Sequence, residues 1–167
     1  SVGKTTLVNA LKELDQFKDY NFATERSQHL MSLGIPLNTD STLKGQTVFL
    51  AERCGELMHD NIITDRTILD VMAFTMNAKS IPYQDKEAFE TYASEFIREY
   101  DHIFYISPHG LEIEDNGIRE TDEHYRDLID FTITTLIKRH GHKAGTIEKI
   151  SGSTEERIQQ ILNVTKL

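Results

Sequence analysis

The chain opens Ser1-Val2-Gly3-Lys4-Thr5-Thr6-Leu7, the second half of the phosphate-binding pattern G-x-x-x-x-G-K-[ST]. Each residue type in that run answers a requirement of an anion. Gly3 lacks a side chain, so the backbone can come close to a phosphate. The amides of Gly3, Lys4, Thr5 and Thr6 fall at the start of a predicted helix, where unpaired N–H groups and the helix dipole favour negative charge. Ser1 and Val2 complete the turn. Lys4 is placed to reach β- and γ-phosphates, and the Thr5 hydroxyl to ligate Mg²⁺. The alternative is a Gly-Lys-Thr-Thr helix start that holds no ligand. The first glycine of the pattern would fall two residues ahead of Ser1 and follow a strand. The expectation is therefore a sequence truncated at its N-terminus relative to a slightly longer natural protein.

Four later groups supply what a phosphate loop needs. Asn61-Ile62-Ile63-Thr64-Asp65-Arg66-Thr67 puts an acid and a base at the end of a predicted strand, where ligands bind in open α/β sheets. Asp65 can hold Mg²⁺ through water or accept a hydroxyl proton. Arg66 can clamp phosphate with its planar fork. The alternative there is a helix-capping Asp65 and a surface Arg66. After another predicted strand, Glu25 is a candidate for an acceptor hydroxyl or the metal and Arg26 for an acceptor phosphate; an exposed Glu–Arg pair opening a helix explains them equally well. The segment Asp115–Asp122, followed by Tyr125-Arg126, reads as a lid that brings Arg119 and Arg126 over a transferring phosphoryl group. Arg126 has a plain alternative, pairing with Asp122 or Asp130 on its own helix. In Ser151-Gly152-Ser153-Thr154-Glu155-Glu156-Arg157 the small residues Gly152 and Ser153 allow contact with a flat ring such as adenine, and the same run carries a capping-box pattern. Gln46 can hydrogen-bond a base edge, with Phe49 or Tyr83 stacking on the ring; core packing also accounts for Phe49.

Elements must hold these groups. Apolar spacing predicts helices over 4–15, 42–60, 67–78, 84–98, 122–139 and 154–164, and strands at 20–24, 61–64, 103–106 and 146–150. Leu43, Thr47, Leu50, Cys54 and Leu57 mark the expected inner face of the second helix, with Asp40 or Ser41 as its cap. Phe89, Tyr92, Ala93, Phe96 and Ile97 mark that of the fourth. Strands alternating with helices predict an α/β fold with a largely parallel sheet. A polar stretch over 107–121 is long enough to carry function.

Composition sets the outer limits. The chain has 167 residues, 18 Lys+Arg against 27 Asp+Glu, and a formal net charge of −9. That suits one domain spanning 1–167. An acidic surface disfavours polymeric nucleic acid, while a local backbone site still holds a small phosphate. The single cysteine, Cys54, makes no internal disulfide and reads as core. No apolar run nears the ~20 residues of a membrane span, and the N-terminus has no signal or transit pattern, so a cytoplasmic location away from membranes is expected. His140 and His142 lack companions at zinc spacing. The acidic 112–123 segment lacks the alternating ligands of a calcium loop.

Taken together, these motifs resemble the P-loop nucleoside and nucleotide kinases. The likeness is strongest to the AAA-like branch that includes ribosylnicotinamide kinase domains and many phage (deoxy)nucleotide kinases. It spans essentially the whole chain: Ser1–Thr6 as the Walker A remainder, Asp65-Arg66-Thr67 as the strand-end motif, Asp115–Asp122 with Arg126 as the lid, and Ser151–Arg157 on the adenine side. The resemblance implies a three-layer P-loop NTPase fold with a parallel sheet of order 2-3-1-4-5, its first and central strand absent from the sequence. It implies Mg·ATP as donor and a small nucleoside or nucleoside monophosphate as acceptor, the arginines tilting toward the monophosphate. A ribosylnicotinamide kinase, or a regulatory ATPase that drives a protein partner, is the alternative. A homodimer is compatible with all of these.

Overall fold

A computed structural model describes residues 3–24, 27–108 and 123–167. The chain order is α1 (Lys4–Lys12), β1 (Asn21–Ala23), α2 (Ser27–Ser32), α3 (Leu43–Glu56), β2 (Ile62–Thr64), α4 (Ile68–Asn77), α5 (Tyr83–Ser94), β3 (His102–Tyr105), α6 (Glu123–His140), β4 (Thr146–Lys149) and α7 (Thr154–Thr165). Every helix and strand expected from apolar spacing forms. The short α2 was expected only in the alternative that Glu25 and Arg26 open a helix; SQHLMS itself has too little apolar period to signal one and buries only Ser27 and Leu30.

The strands pair in parallel, as predicted, but not as one sheet. Among the described residues β1 lies beside β2, with Phe22 opposite Ile63, and β3 beside β4, with Ile103 opposite Ile147. The two pairs share no strand partner. Side chains alternate across each strand, and the alternation sorts them into two apolar clusters. Ile103 and Ile147 join a large cluster with Leu50, Met72, Phe89, Ala93, Ile97 and Ile129, from α3 to α6 and the turn after α5. Phe104 instead joins Phe22 and Ile63 in a second cluster with Leu7 and Leu11 of α1 and Ile161 of α7. Helices therefore cover opposite faces of β3, and strands of both pairs meet the same side of α1. Ile68, Met72 and Ile97 are fully buried, each stabilising the fold by about 1.5–3 kcal/mol relative to exposure.

The chain between β2 and α4 is tied down more firmly than its length requires. Thr67 and Asp70 form a reciprocal capping box at the start of α4, and the Ile68 amide donates to the buried Tyr100 hydroxyl at 3.2 Å. Burial pushes that phenol above its ordinary pKa, so it stays neutral.

Helix α3 departs from its predicted face. Its cap is Thr42, whose hydroxyl accepts from the Gly45 amide at 3.1 Å, rather than Asp40 or Ser41. Leu43 and Thr47 face solvent, while Gly45, Gln46, Leu50 and Arg53 are buried. The inner face is half polar because it borders a cavity as well as the core. On α5, Tyr92 likewise turns outward, its ring edge-on to Phe96.

Candidate functional site

Gly3 ends the approach to α1 in a left-handed conformation, φ 73°. The guanidinium of Arg157 on α7 lies 3.3 Å from where a Cβ at this position would stand. Both the backbone angle and the close neighbour demand glycine. One residue into the helix beyond Lys4, the Thr5 hydroxyl donates to Oδ2 of Asp65 at 2.9 Å. Asp65 follows β2 directly, so two segments sixty residues apart in sequence are joined side chain to side chain. Asp65 is 3% exposed, and its Oδ1 is buried with no hydrogen-bond partner among the described residues.

Asp65 is held from behind as well. Its carbonyl oxygen accepts from Arg53 Nη1 at 3.1 Å, and Arg53 Nη2 donates to Glu56 at 2.9 Å. Arg53 is 5% exposed; pairing to Glu56 offsets the cost of burying its charge. A hydroxyl beside a carboxylate with a free buried oxygen is the hard-oxygen donor set that Mg²⁺ takes together with phosphate. Thr5 and Asp65 fit that ion.

The next residue, Arg66, is backbone-strained. Its φ is 81°, uncommon for a residue with a side chain, and its carbonyl accepts from the Thr64 hydroxyl at 2.8 Å. The guanidinium lies 5.5 Å from the centre of the Phe74 ring, and its Nε is buried with no partner among the described residues. Beside this group opens a cavity of about 440 Å³, whose walls include Thr5, Gln46, Phe49, Arg53, Arg66 and Phe74.

A family model described as AAA domain matches residues 1–157. The chain belongs to this AAA domain family. Membership makes it a P-loop α/β domain of the nucleotide-binding NTPase class, a class of enzymes that generally take ATP with Mg²⁺. No curated protein and no solved structure matches the chain.

In this AAA domain, then, the predicted residues Thr5, Gln46, Asp65 and Arg66 meet at one place, with Gly3 and Lys4 at the head of the same helix. Thr6, next on that helix, is exposed. Ser1, Val2, Glu25, Arg26 and Arg119 lie outside the described residues, as do positions 109–121 of the predicted lid and Asp122 after it. Arg126 stands near the start of α6, 3.6 Å from Asp127; Asp130, one of the two partners expected for it, accepts from the Tyr105 hydroxyl. Burial and that carboxylate push the Tyr105 phenol up to about 12. Gly152 has φ 95° and Ser153 caps α7 in a reciprocal box with Glu156; an open depression lies against Gly152, Glu155 and Gln159.

Tyr83 is not among the walls of the cavity. It is 68% exposed and donates to Glu87. Phe49 does both things expected of it, lining the cavity while packing on the core. Arg53, Phe74 and Arg157 were missed. Arg53 and Phe74 sit within helical apolar runs, where nothing in the spacing separates a cavity wall from a core face. Cys54 packs on the core, and burial followed by the nearby Glu99 raises its thiol pKa, the opposite of an activated nucleophile. Among the described residues no helix is long and apolar enough to cross a membrane.

Proposed function

We propose that this AAA domain transfers the γ-phosphoryl group of ATP to a small nucleoside monophosphate or nucleoside. The observation that carries this reading is the Thr5–Asp65 hydrogen bond at 2.9 Å on the edge of the 440 Å³ cavity. A phosphate loop next to a pocket of that size has room for an acceptor, within the range usual for small-molecule sites. A regulatory ATPase needs no such chamber, and is the second choice; a ribosylnicotinamide kinase uses the same chamber with a different ring.

In this reading the amides of Gly3 to Thr6 and Lys4 bind the triphosphate, and Thr5 and Asp65 would hold Mg²⁺. The ion, when bound, neutralises charge that builds on the phosphate oxygens. Arg66, with Arg119 and Arg126 from the lid side, adds positive charge where the transition state is negative. A nucleoside's hydroxyl oxygen forms the new bond to phosphorus as the bond to the bridging oxygen of ADP breaks, and Asp65 takes the hydroxyl proton. A monophosphate attacks as an anion and asks for Arg26 and Arg66 instead. The adenine is assigned to Gly152 and Ser153, and Glu25 and Gln46 to the acceptor. The sheet order 2-3-1-4-5 belongs to the same proposal, with β1–β2 and β3–β4 as its neighbours 2-3 and 4-5. So does a single-domain cytoplasmic enzyme, free or as a homodimer.

The test is ADP release from ATP and Mg²⁺ with a panel of nucleosides, their monophosphates and ribosylnicotinamide. Release that depends on an acceptor supports the proposal and names the substrate. ADP formed at the same rate with every acceptor omitted would favour the ATPase.

A further inference from the structure

Arg66 leaves the chain from a turn with little freedom. Its backbone is left-handed, φ 81°, and its carbonyl is held by the Thr64 hydroxyl at 2.8 Å. The side chain runs to Phe74, well into α4, where the guanidinium lies over the ring at 5.5 Å from its centre. That is within the range at which a cation is attracted to a π face. The acids on either side of Arg66 in sequence are engaged elsewhere: Asp65 Oδ2 accepts from Thr5 at 2.9 Å, and Asp70 Oδ2 from the Thr67 amide at 2.8 Å. Phe74 is well anchored. It packs on the large core cluster, and the Tyr125 ring of α6 lies 6.5 Å away at a 42° tilt. One turn further along α4, Asn77 donates to the Thr132 hydroxyl of α6 at 2.9 Å.

The geometry points to Phe74 as the positioning residue for Arg66: its ring holds the guanidinium in place and leaves the N–H donors for phosphate oxygens. The reason lies in how each kind of partner uses a guanidinium. A carboxylate takes the in-plane N–H donors in pairs and cancels the charge. An aromatic face attracts the cation through its quadrupole, so the charge and the donor fork stay available. Arg66 is thereby fixed along the cavity wall that it shares with Thr5 and Arg53. Ordering a long arginine in advance also removes an entropy cost that otherwise falls on the reaction. Leucine in place of Phe74 is equally apolar but has no quadrupole, which lets packing and positioning be separated. This inference rests on the proposed function for what Arg66 grips. It goes beyond that reading by assigning to the reaction a core residue that acts through another side chain.

The experiment compares Phe74→Tyr, Phe74→Leu and Arg66→Met, and the last two combined, by acceptor-dependent ADP release. Phe74→Tyr keeps the ring and should turn over within about threefold of wild type. Phe74→Leu should lower kcat by about tenfold with the KM for ATP nearly unchanged. In the Arg66→Met background the leucine should cost nothing further, because the contact is already gone. A second readout needs no catalysis. The Arg66 Nε–H resonance in an NMR spectrum, assigned by its loss in Arg66→Met, should carry a ring-current shift that Phe74→Tyr keeps and Phe74→Leu abolishes. Phe74→Met, also apolar and without a ring, replaces the leucine variant if that one fails to fold. Full kcat in Phe74→Leu, a tyrosine as damaging as the leucine, independent losses in the double variant, or an Arg66 resonance indifferent to Phe74 would each overturn the inference. If no acceptor raised ADP release, the proposed transfer would fall, and the resonance alone would decide the assignment of Phe74. Acceptor-dependent release with an indifferent resonance would remove that assignment and keep the transfer.

Discussion

At the scale of single residues, the centre of the molecule is a carboxylate held from two sides. Thr5 grips Oδ2 of Asp65, Arg53 grips its carbonyl, and Oδ1 is left over. Asp65→Asn keeps the size and removes the charge, so turnover should drop by about 100-fold or more while the melting temperature barely moves. Lys4→Ala should behave the same way, and a coupled assay for ADP beside a thermal melt separates chemistry from folding. Arg53 predicts a different signature. Arg53→Met removes a buried ion pair to Glu56 and the hydrogen bond to the Asp65 carbonyl, so stability should fall by about 3 kcal/mol along with activity. Chemical denaturation measures that loss. If Arg53→Met lowered activity with no change in stability, it would act on the ligand directly instead of through Asp65.

At the scale of elements, what the sequence disclosed and what it concealed divide along the cavity. The helices over the large core announced themselves, because Leu69, Met72 and Ala73 recur at helical spacing and are buried as expected. So did the four strands and the loop-to-helix turn at Gly3. Helix α3 was half legible. Leu50 pointed inward as its spacing required, yet Gln46 and Arg53 are buried beside it, and a polar residue facing a ligand chamber looks, in sequence, like one facing water. Phe74 looked like ordinary core for the converse reason. Pairing among strands was hidden as well, since parallel partners lie far apart along the chain. The turns yield a contrast that a pair of variants can check. Gly34 and Gly152 both have positive φ, but a Cβ at Gly34 meets open space whereas at Gly152 it runs into the Glu156 carboxylate. Gly34→Ala should cost about 1 kcal/mol from backbone strain. Gly152→Ala should cost about 1 kcal/mol more, because Glu156 must leave its capping box. Denaturant midpoints of the two proteins give the comparison, and equal losses would mean that the box contributes nothing.

For the molecule as a whole, the acid limb of stability has an identifiable contributor far from the site. Glu90 on α5 accepts from Arg139 at 2.5 Å and meets His140 at 2.7 Å, tying α5 to the end of α6. Burial pushes its carboxyl upward, and the hydrogen bonds from His140 and Arg139 more than offset this, so its pKa ends below that of an ordinary glutamate. A carboxyl depressed in the folded state stabilises fully above its unfolded pKa and stops doing so as pH falls through the folded one. Wild type should therefore outlast Glu90→Gln in thermal melts at neutral pH, and the gap should close as acid protonates the Glu90 carboxyl. A gap that persisted unchanged into strong acid would assign the effect to shape rather than charge. The cavity and the phosphate loop are linked at this same whole-molecule scale. Gln46 and Arg53 are seven residues apart on α3, two turns of helix, or about 10 Å of rise. One rigid rod thus spaces the carboxamide in the cavity wall from the group that anchors Asp65. In the proposed reaction the rod acts as a ruler: an acceptor too short or too long to reach from the cavity wall to Asp65 fails to engage both ends at once, so molecular length becomes a criterion of selection that no single contact imposes.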